Sequence, residues 1–397
     1  MSSSTFFKNH PRIALLLFNI ILLLLVFIGF EIGLRIFTPD WLAYRMKILK
    51  SGNLAGFGTD ANWKIKYKNG EFYSFTPNSI FKIYHFEYEN TVHTDKFGGR
   101  CTDINEKTDT NNIIPFIGDS FVMGVGVEDT ESMVSITKKA THYNFLNLGI
   151  AGTSLPIQRK LINIRYQEFG RPKIVIYGFC LGNDFDDIMK EYAKIPTAAK
   201  QTSSSLQEKE DTNRQISHTS FIWKLNSLIN HNNILKRIYV LQFIKQKILN
   251  IQNKNKEMYT PFYLFDSHNT AYIKKAKEQI DKEIEILSNE PYKSLIILIP
   301  DKYQINDSLR KNMSAYYNLN EKYLLPFLPN QILIEALNKY KIKYIDPTKC
   351  LINRQHEGNL FYILDNHLTK FGQRVLSECI TDSLKKIIQE YNFKPTK

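Results

Sequence analysis

A Gly-Asp-Ser tripeptide is the first segment of this sequence whose residue types could carry out chemistry. It places Ser120 directly after the apolar run 113–117 and before a stretch that predicts a helix. This position suits a nucleophile, because the end of a buried parallel strand lies beside the free N–H groups of a helix N-terminus. The alternative is an ordinary turn with a capping Ser, and a match of this length arises by chance in about one chain in ten.

Three further polar segments follow apolar runs or close the chain. Gly152 lies in a glycine turn, Asn183 lies in a Leu-Gly-Asn-Asp turn, and Asp365 and His367 come near the C-terminus. Because the carboxyl ends of parallel strands meet at one edge of a sheet, we expect these segments to gather around Ser120. Together they would supply a nucleophile, an imidazole base, a carboxylate and donors for a developing oxyanion.

The order of these segments resembles that of the motif blocks in the SGNH hydrolases, also called the GDSL esterase and lipase family. The resemblance covers about residues 113 to 397, apart from an insertion. It implies a flavodoxin-like three-layer α/β fold and a serine hydrolase that acts on ester bonds.

The resemblance also implies a role for each residue. Ser120 would be the nucleophile, His367 the general base and then the general acid, and Asp365 the group that orients the imidazole. The oxyanion hole would consist of the Ser120 and Gly152 N–H groups and the side-chain amide of Asn183. The Asp-x-His spacing is shorter than the common Asp-x-x-His of the family. It is similar to that of a branch that includes enzymes moving acetyl groups on polysaccharides.

The elements that must position these residues are predicted by apolar runs alternating with amphipathic stretches. This pattern is typical of a parallel sheet with helices on both faces. The predicted strands are 113–117, 144–148, 173–179, 294–299 and 342–345. The predicted helices are 131–141, 156–169, 273–287, 330–340 and 370–391.

The N-terminus predicts a transmembrane signal anchor within residues 1–36. Residues 13–30 contain nothing more polar than Asn19. This segment is long enough to span a bilayer as a helix. A cleaved signal peptide is the competing interpretation, but no Ala-x-Ala-like site follows. Lys8 and Arg12 on the short leading arm favour a location of that arm on the cytoplasmic side of the membrane. The catalytic domain would then lie outside the cytoplasm, on the periplasmic side of a bacterial inner membrane.

Two more domain boundaries follow from the pattern. Residues 37–111 predict a peripheral β-rich lead-in, with a strand or hairpin in 72–86, and residues 112–397 predict the α/β domain. An insertion at about 193–257 begins with a polar linker and continues with a helical period over 221–249. It could be a lid, a partner surface, a helix against the membrane or an appendage packed on the domain.

Composition excludes several other classes. The net charge of +13 comes from scattered Lys and Arg rather than from a basic block, so we expect no nucleic-acid partner. The four cysteines include no Cys-x-x-Cys pair and the histidines lack metal-ligand spacing, so neither a metal ion nor a cofactor is predicted. Cys350 and Cys379 could pair in an oxidising compartment.

These observations predict a serine esterase that removes a short acyl group, acetyl in our interpretation, from a cell-envelope or exported polysaccharide through an acyl-enzyme. Its partners would be the membrane bilayer, through residues 13–30, and an acylated glycan. Two alternatives stay open. The same triad could serve an O-acyltransferase, or the fold could be a non-catalytic glycan-binding membrane component.

Overall fold

The computed structural model describes residues 10–38, 42, 46, 58–59, 64–66, 73–85, 87–102, 112–194, 235–244, 261–316, 319–363 and 365–393. The chain divides into two compact units. One consists of Met1–Gly58 and Ala199–Lys256, and the other of Thr59–Ala198 and Glu257–Lys397.

The first unit contains one long apolar helix, α1 (Pro11–Ile36). Pro11 at its start is well placed, since the first helical N–H has no partner within the helix. An 18-residue window within its 26 residues has a mean hydropathy of 3.1, and none of that window is buried. This length and composition are those of a membrane-spanning helix or of a signal sequence, in agreement with the predicted apolar segment.

The polar end of α1 contacts part of the insertion within the same unit. The Glu31 carboxylate accepts hydrogen bonds from the backbone N–H groups of Tyr239 (3.1 Å) and Val240 (2.9 Å). These two residues begin a helical stretch, 239–244, and a carboxylate at a helix N-terminus is favourable. The polar linker of the insertion and most of its predicted helix, 221–249, lie outside the described residues.

The second unit is built on a five-stranded parallel sheet. Its strands are β6 (Ile114–Gly118), β7 (Phe145–Asn147), β8 (Ile174–Cys180), β9 (Lys293–Ile299) and β10 (Lys343–Ile345). The order is β10-β9-β8-β6-β7, which is the flavodoxin-like doubly wound order. The predicted fold class is therefore confirmed. The chain reverses its winding direction between β6 and β8, where ligands bind in such sheets.

Helices cover the sheet in two packed groups. The first group consists of α3 (Met133–Thr141), α11 (Thr348–Arg354) and α12 (Lys370–Glu390). The second consists of α4 (Leu155–Phe169), α5 (Asp184–Lys194), α7 (Thr270–Ser288) and α10 (Leu328–Lys339). Every residue of β6 and β8 is buried, as expected for strands with both faces covered. The remaining helices are α2 (Ser120–Met123), α6 (Pro261–Phe265), α8 (Lys302–Ile305) and α9 (Asp307–Tyr316).

An antiparallel hairpin precedes the sheet in the chain. It consists of β4 (Ile80–Tyr84) and β5 (Glu89–His93), which pair from Ile80↔His93 to Tyr84↔Glu89. Burial alternates along both strands, so one face of the hairpin packs inward. Three shorter strands lie before it: β1 (Gly58–Thr59), β2 (Lys64–Lys66) and β3 (Tyr73–Phe75).

A disulfide between Cys350 and Cys379 joins α11 to α12, with the two Cα atoms 6.0 Å apart. The sequence had left this pairing open. The 29-residue separation that it closes includes Asp365 and His367. The cross-link therefore restrains the segment that carries the predicted base and carboxylate.

We expect replacement of both cysteines, Cys350→Ser with Cys379→Ser, to lower the free energy of unfolding by about 3–4 kcal/mol, because the unfolded chain regains the entropy of a loop of this length. Urea denaturation of the full chain in detergent measures the change. Dithiothreitol should shift the wild-type midpoint to that of the double variant and leave the variant unchanged. Equal midpoints for reduced and oxidised wild type would contradict the prediction.

Candidate active site

The predicted nucleophile lies where β6 meets α2. Asp119 caps the short helix by accepting a hydrogen bond from the Phe121 N–H, and Ser120 is its first residue. The Ser120 N–H therefore has no intrahelical carbonyl to bond. Gly118 is required just before this turn, since a Cβ there would lie 2.8 Å from the Gly178 carbonyl oxygen of β8.

The structure brings Ser120, His367 and Asp365 into one hydrogen-bonded chain. His367 Nε2 lies 2.7 Å from Ser120 Oγ, and His367 Nδ1 lies 2.8 Å from Asp365 Oδ1. The side chains of His367 and Asp365 are each 13% exposed. These distances are within the range for a nucleophile, a base and the group that orients the base.

Asp365 is held in its ionised form. Burial raises the pKa of its carboxyl group, but the hydrogen bonds from His367 and Tyr88 and the charge of His367 outweigh burial, so that the pKa lies well below its usual range. A permanent negative charge beside Nδ1 keeps the proton on that nitrogen and leaves Nε2 to accept from Ser120.

Gly152 lies in the turn that follows β7, next to the end of β6. The Ile150 N–H donates to the Gly118 carbonyl at 2.9 Å, and the Thr153 hydroxyl donates to the same oxygen at 3.2 Å. The Gly152 φ of +76° is in the left-handed region, which favours glycine. A Cβ at this position would have nothing within 4 Å, so backbone conformation rather than space explains the glycine.

Asn183 lies in the turn after β8 and reaches the nucleophile turn through Asp119. Its Nδ2 donates to Asp119 Oδ2 at 3.0 Å and to Asp187 Oδ2 at 3.3 Å, while its Oδ1 is buried without a hydrogen-bond partner. The amide thus points to two carboxylates in this conformation. Its role as an oxyanion donor stays a prediction, as does that of the Gly152 N–H.

Three residues near the triad were missed in the sequence. His85, Glu87 and Tyr88 lie in the turn of the hairpin β4–β5, and the Tyr88 hydroxyl donates to Asp365 Oδ2 at 2.5 Å. No motif or periodicity in the sequence indicates a role for them, because the residue that they approach, Asp365, lies about 280 positions away in the chain. Among the described residues, no group of three or more His, Cys, Asp or Glu is arranged to hold a metal ion.

Comparison with known proteins gives matches among solved structures only. No protein-family model matches the chain, and no curated protein matches it. Among solved structures, a member of the lipolytic protein G-D-S-L family from Veillonella parvula DSM 2008 is 15% identical, with a TM-score of 0.35 over 68% of this chain and 96% of that chain.

Two other solved structures give similar values. A lipase/acylhydrolase from Enterococcus faecalis is 13% identical, with a TM-score of 0.34 over 72% of this chain and 99% of that chain. An acetyl xylan esterase is 11% identical, with a TM-score of 0.36 over 68% and 99%. These structures are ester hydrolases and lipolytic proteins. At these identities and TM-scores, the function of this chain rests on the geometry of its own residues.

Asp119 should make stability depend on pH. Complete burial raises its pKa from 3.8 to about 6, against the hydrogen bonds from Phe121 and Asn183. Because the folded pKa exceeds the unfolded one, the folded state binds the proton more tightly, and this stabilisation is lost as pH rises from 4 to 6.

Relative to Asp119→Asn, we expect the wild-type free energy of unfolding to fall over that interval by up to about 3 kcal/mol and to stay constant above it. Urea denaturation of both proteins at pH 4, 5, 6 and 7 measures the difference. Parallel curves for the two proteins at all four pH values would show that the Asp119 pKa is not raised.

Proposed function

We propose that this chain is a membrane-anchored serine esterase of the SGNH type. The observation that carries the proposal is the continuous hydrogen-bonded chain from Ser120 Oγ (2.7 Å) through His367 to Asp365 (2.8 Å). A serine hydroxyl becomes a useful nucleophile when an imidazole removes its proton in the transition state. The carboxylate beside Nδ1 stabilises the imidazolium that forms.

The proposed reaction has two steps. Ser120 Oγ attacks the ester carbonyl while His367 Nε2 takes its proton, and the same proton then passes to the leaving alcohol as the acyl-enzyme forms. Water, deprotonated by His367, attacks the acyl carbon; the bond to Ser120 Oγ then breaks, Oγ recovers a proton from His367, and the acid is released. The N–H groups of Ser120 and Gly152 are the proposed donors to the oxyanion, and Asn183 would join them if its amide turned away from Asp119.

The proposed substrate is a short acyl ester, acetyl in our interpretation, on a cell-envelope or exported polysaccharide. The Asp-x-His spacing of Asp365 and His367 supports it, through the resemblance to a branch that acts on polysaccharide acetyl groups. The disulfide Cys350–Cys379 supports a catalytic unit outside the cytoplasm, because such bonds persist in oxidising compartments. The apolar helix α1 would anchor that unit in the bilayer.

Acyl transfer is the second candidate, because the same Ser120, His367 and Asp365 would form the acyl-enzyme and could pass the acyl group to a sugar hydroxyl instead of water. A bound acceptor that excludes water would decide between the two reactions. A non-catalytic glycan-binding component is disfavoured, since binding alone has no use for a Ser-His-Asp chain at hydrogen-bonding distances.

Ser120→Ala should abolish labelling by a fluorophosphonate and lower ester hydrolysis at least about a thousandfold, because no other group replaces the nucleophile. Asp365→Asn should lower kcat by about 10³–10⁴, because the imidazole loses its charged partner and the proton is no longer kept on Nδ1. Gel fluorescence and p-nitrophenyl acetate hydrolysis by the full chain in detergent measure these effects. Persistent labelling of Ser120→Ala, with the label mapped to another residue, would refute the assignment of the nucleophile.

Envelope polysaccharide incubated with the wild-type protein should release acetate, whereas Ser120→Ala should release none. A soluble oligosaccharide, added with p-nitrophenyl acetate as donor, distinguishes transfer from hydrolysis. Acetylated oligosaccharide detected by mass spectrometry would favour the transferase, and free acetate alone would favour the esterase. Cleavage of long-chain lipid esters only would contradict the proposed substrate class.

A further inference from the structure

We propose that Tyr88 is a positioning residue of the active site, supplied by the turn of the β4–β5 hairpin, and that its hydroxyl group fixes the Asp365 carboxylate for its bond to His367. This inference rests on the proposed serine-hydrolase function and deepens it. The Tyr88 hydroxyl contacts Asp365, and its proposed effect on the reaction passes through that carboxylate.

The two oxygen atoms of Asp365 are divided between the base and the hairpin. Oδ1 lies 2.8 Å from His367 Nδ1, and Oδ2 accepts the Tyr88 hydroxyl at 2.5 Å. A carboxylate held at one oxygen can still rotate about its last side-chain bond. A second bond at the other oxygen fixes the plane of the group, and hydrogen bonds to a charged acceptor are the stronger ones.

Glu87, the neighbour of Tyr88, holds the backbone of the same loop. Its Oε1 accepts from the Ile363 N–H at 2.7 Å, and its Oε2 accepts from the Asp365 N–H at 2.8 Å. The hairpin turn thus binds both the main chain and the side chain at position 365. These two adjacent contacts together make the hairpin a support for the catalytic carboxylate.

The Tyr88 ring is itself firmly placed. It is 9% exposed and stacks on His85, with ring centroids 4.8 Å apart, and it packs at a tilt against Tyr362, with centroids 4.7 Å apart. A Cβ at Gly126 would lie 2.8 Å from Tyr362 Cε2 and 3.2 Å from Tyr88 Cε1, so a glycine there leaves room for both rings. The Tyr362 hydroxyl donates to the Gly126 carbonyl at 2.6 Å, which closes the cluster.

The loop that carries Asp365 and His367 needs such support. In the described part of residues 358–369, the regular pairing is a single bridge, Phe361↔Leu368. An irregular segment keeps more backbone freedom than a strand or helix, and a misplaced base lowers the rate. Lys302 adds a longer contact, 3.4 Å from its Nζ to the Asp365 carbonyl oxygen. The hairpin provides the shorter bonds.

The test compares kcat and KM for p-nitrophenyl acetate in five full-chain variants in detergent, the fifth being Glu87→Gln. Tyr88→Phe keeps the ring and its stacking but removes the hydroxyl. Tyr177→Phe is the matched control, since it removes another buried tyrosine hydroxyl, one that bonds Tyr292 at 2.8 Å. Asp365→Asn and the double variant of Tyr88→Phe with Asp365→Asn complete a double-mutant cycle.

We expect Tyr88→Phe to lower kcat about tenfold with KM within about twofold, because the lost bond positions the carboxylate and does not bind substrate. In the Asp365→Asn background, the same change should lower kcat by less than about twofold, since the group that Tyr88 positions is already gone. Tyr177→Phe should keep the wild-type kcat. Glu87→Gln, which offers one acceptor oxygen to two N–H groups, should lower kcat in the same direction without a change in KM.

A wild-type kcat in Tyr88→Phe would overturn the proposal, and so would an equal tenfold loss in the Asp365→Asn background, because Tyr88 would then act independently of the carboxylate. An equal loss in Tyr177→Phe would also overturn it. Failure of the underlying function has a different signature. Ser120→Ala would then hydrolyse the ester at the wild-type rate, whereas a failed positioning role leaves Ser120→Ala inactive and Tyr88→Phe fully active.

Discussion

The hydrogen bond between Ser120 Oγ and His367 Nε2 joins two residues 247 positions apart, and the candidate chemistry depends on it. Its geometry depends on the elements that hold Ser120 on one side and His367 on the other. On one side, β6 lies between β7 and β8 and ends at the Gly118 turn. On the other, α12 packs on α3 and is cross-linked to α11. A displacement of about 1 Å between these supports would lower the rate about a hundredfold.

Arg100, in the segment before the sheet, stabilises the chain close to Ser120. The fully buried Arg100 guanidinium pairs with Asp129 at 2.8 Å and donates to the carbonyl oxygens of Met123, Gly124 and Val127. These carbonyls belong to the last residue of α2 and to the turn that follows it. A buried cation is tolerated only when its donors are satisfied, and here these bonds are made to the stretch that follows Ser120. The segment before the sheet therefore contacts the candidate site twice, through Arg100 near Ser120 and through Tyr88 at Asp365.

In the first unit, the main features are the apolar surface of α1 and the contacts of Glu31 near its end. Residues along α1 expose large apolar side chains, such as Leu23 at 69%, as in a membrane-spanning helix or a signal sequence. Polarity returns at Glu31, which pairs with Arg35 at 2.7 Å and accepts the two backbone N–H groups of residues 239 and 240. The end of the apolar helix is thus joined to the insertion, whose role the sequence had left open.

The sequence by itself determined the sheet, five of the seven helices that cover it and the candidate residues Ser120, His367 and Asp365. Strands buried on both faces leave continuous apolar runs, and helices leave a 3.6-residue period, so both can be recognised locally. The five predicted strands begin and end within one residue of the observed ones. The second hairpin strand β5 and the helices α5, α9 and α11 were not predicted, since their short sequences carry little periodicity.

Only the tertiary structure decided which groups touch the candidate triad. Tyr88 meets Asp365 across 277 positions, the Asn183 amide faces Asp119, and Cys350 pairs with Cys379. Each of these contacts depends on distances between chain segments that the packing of the sheet and helices brings together. A hydrogen bond or a disulfide between distant segments imposes no period on either segment, so the residues that form it look ordinary until the fold is known.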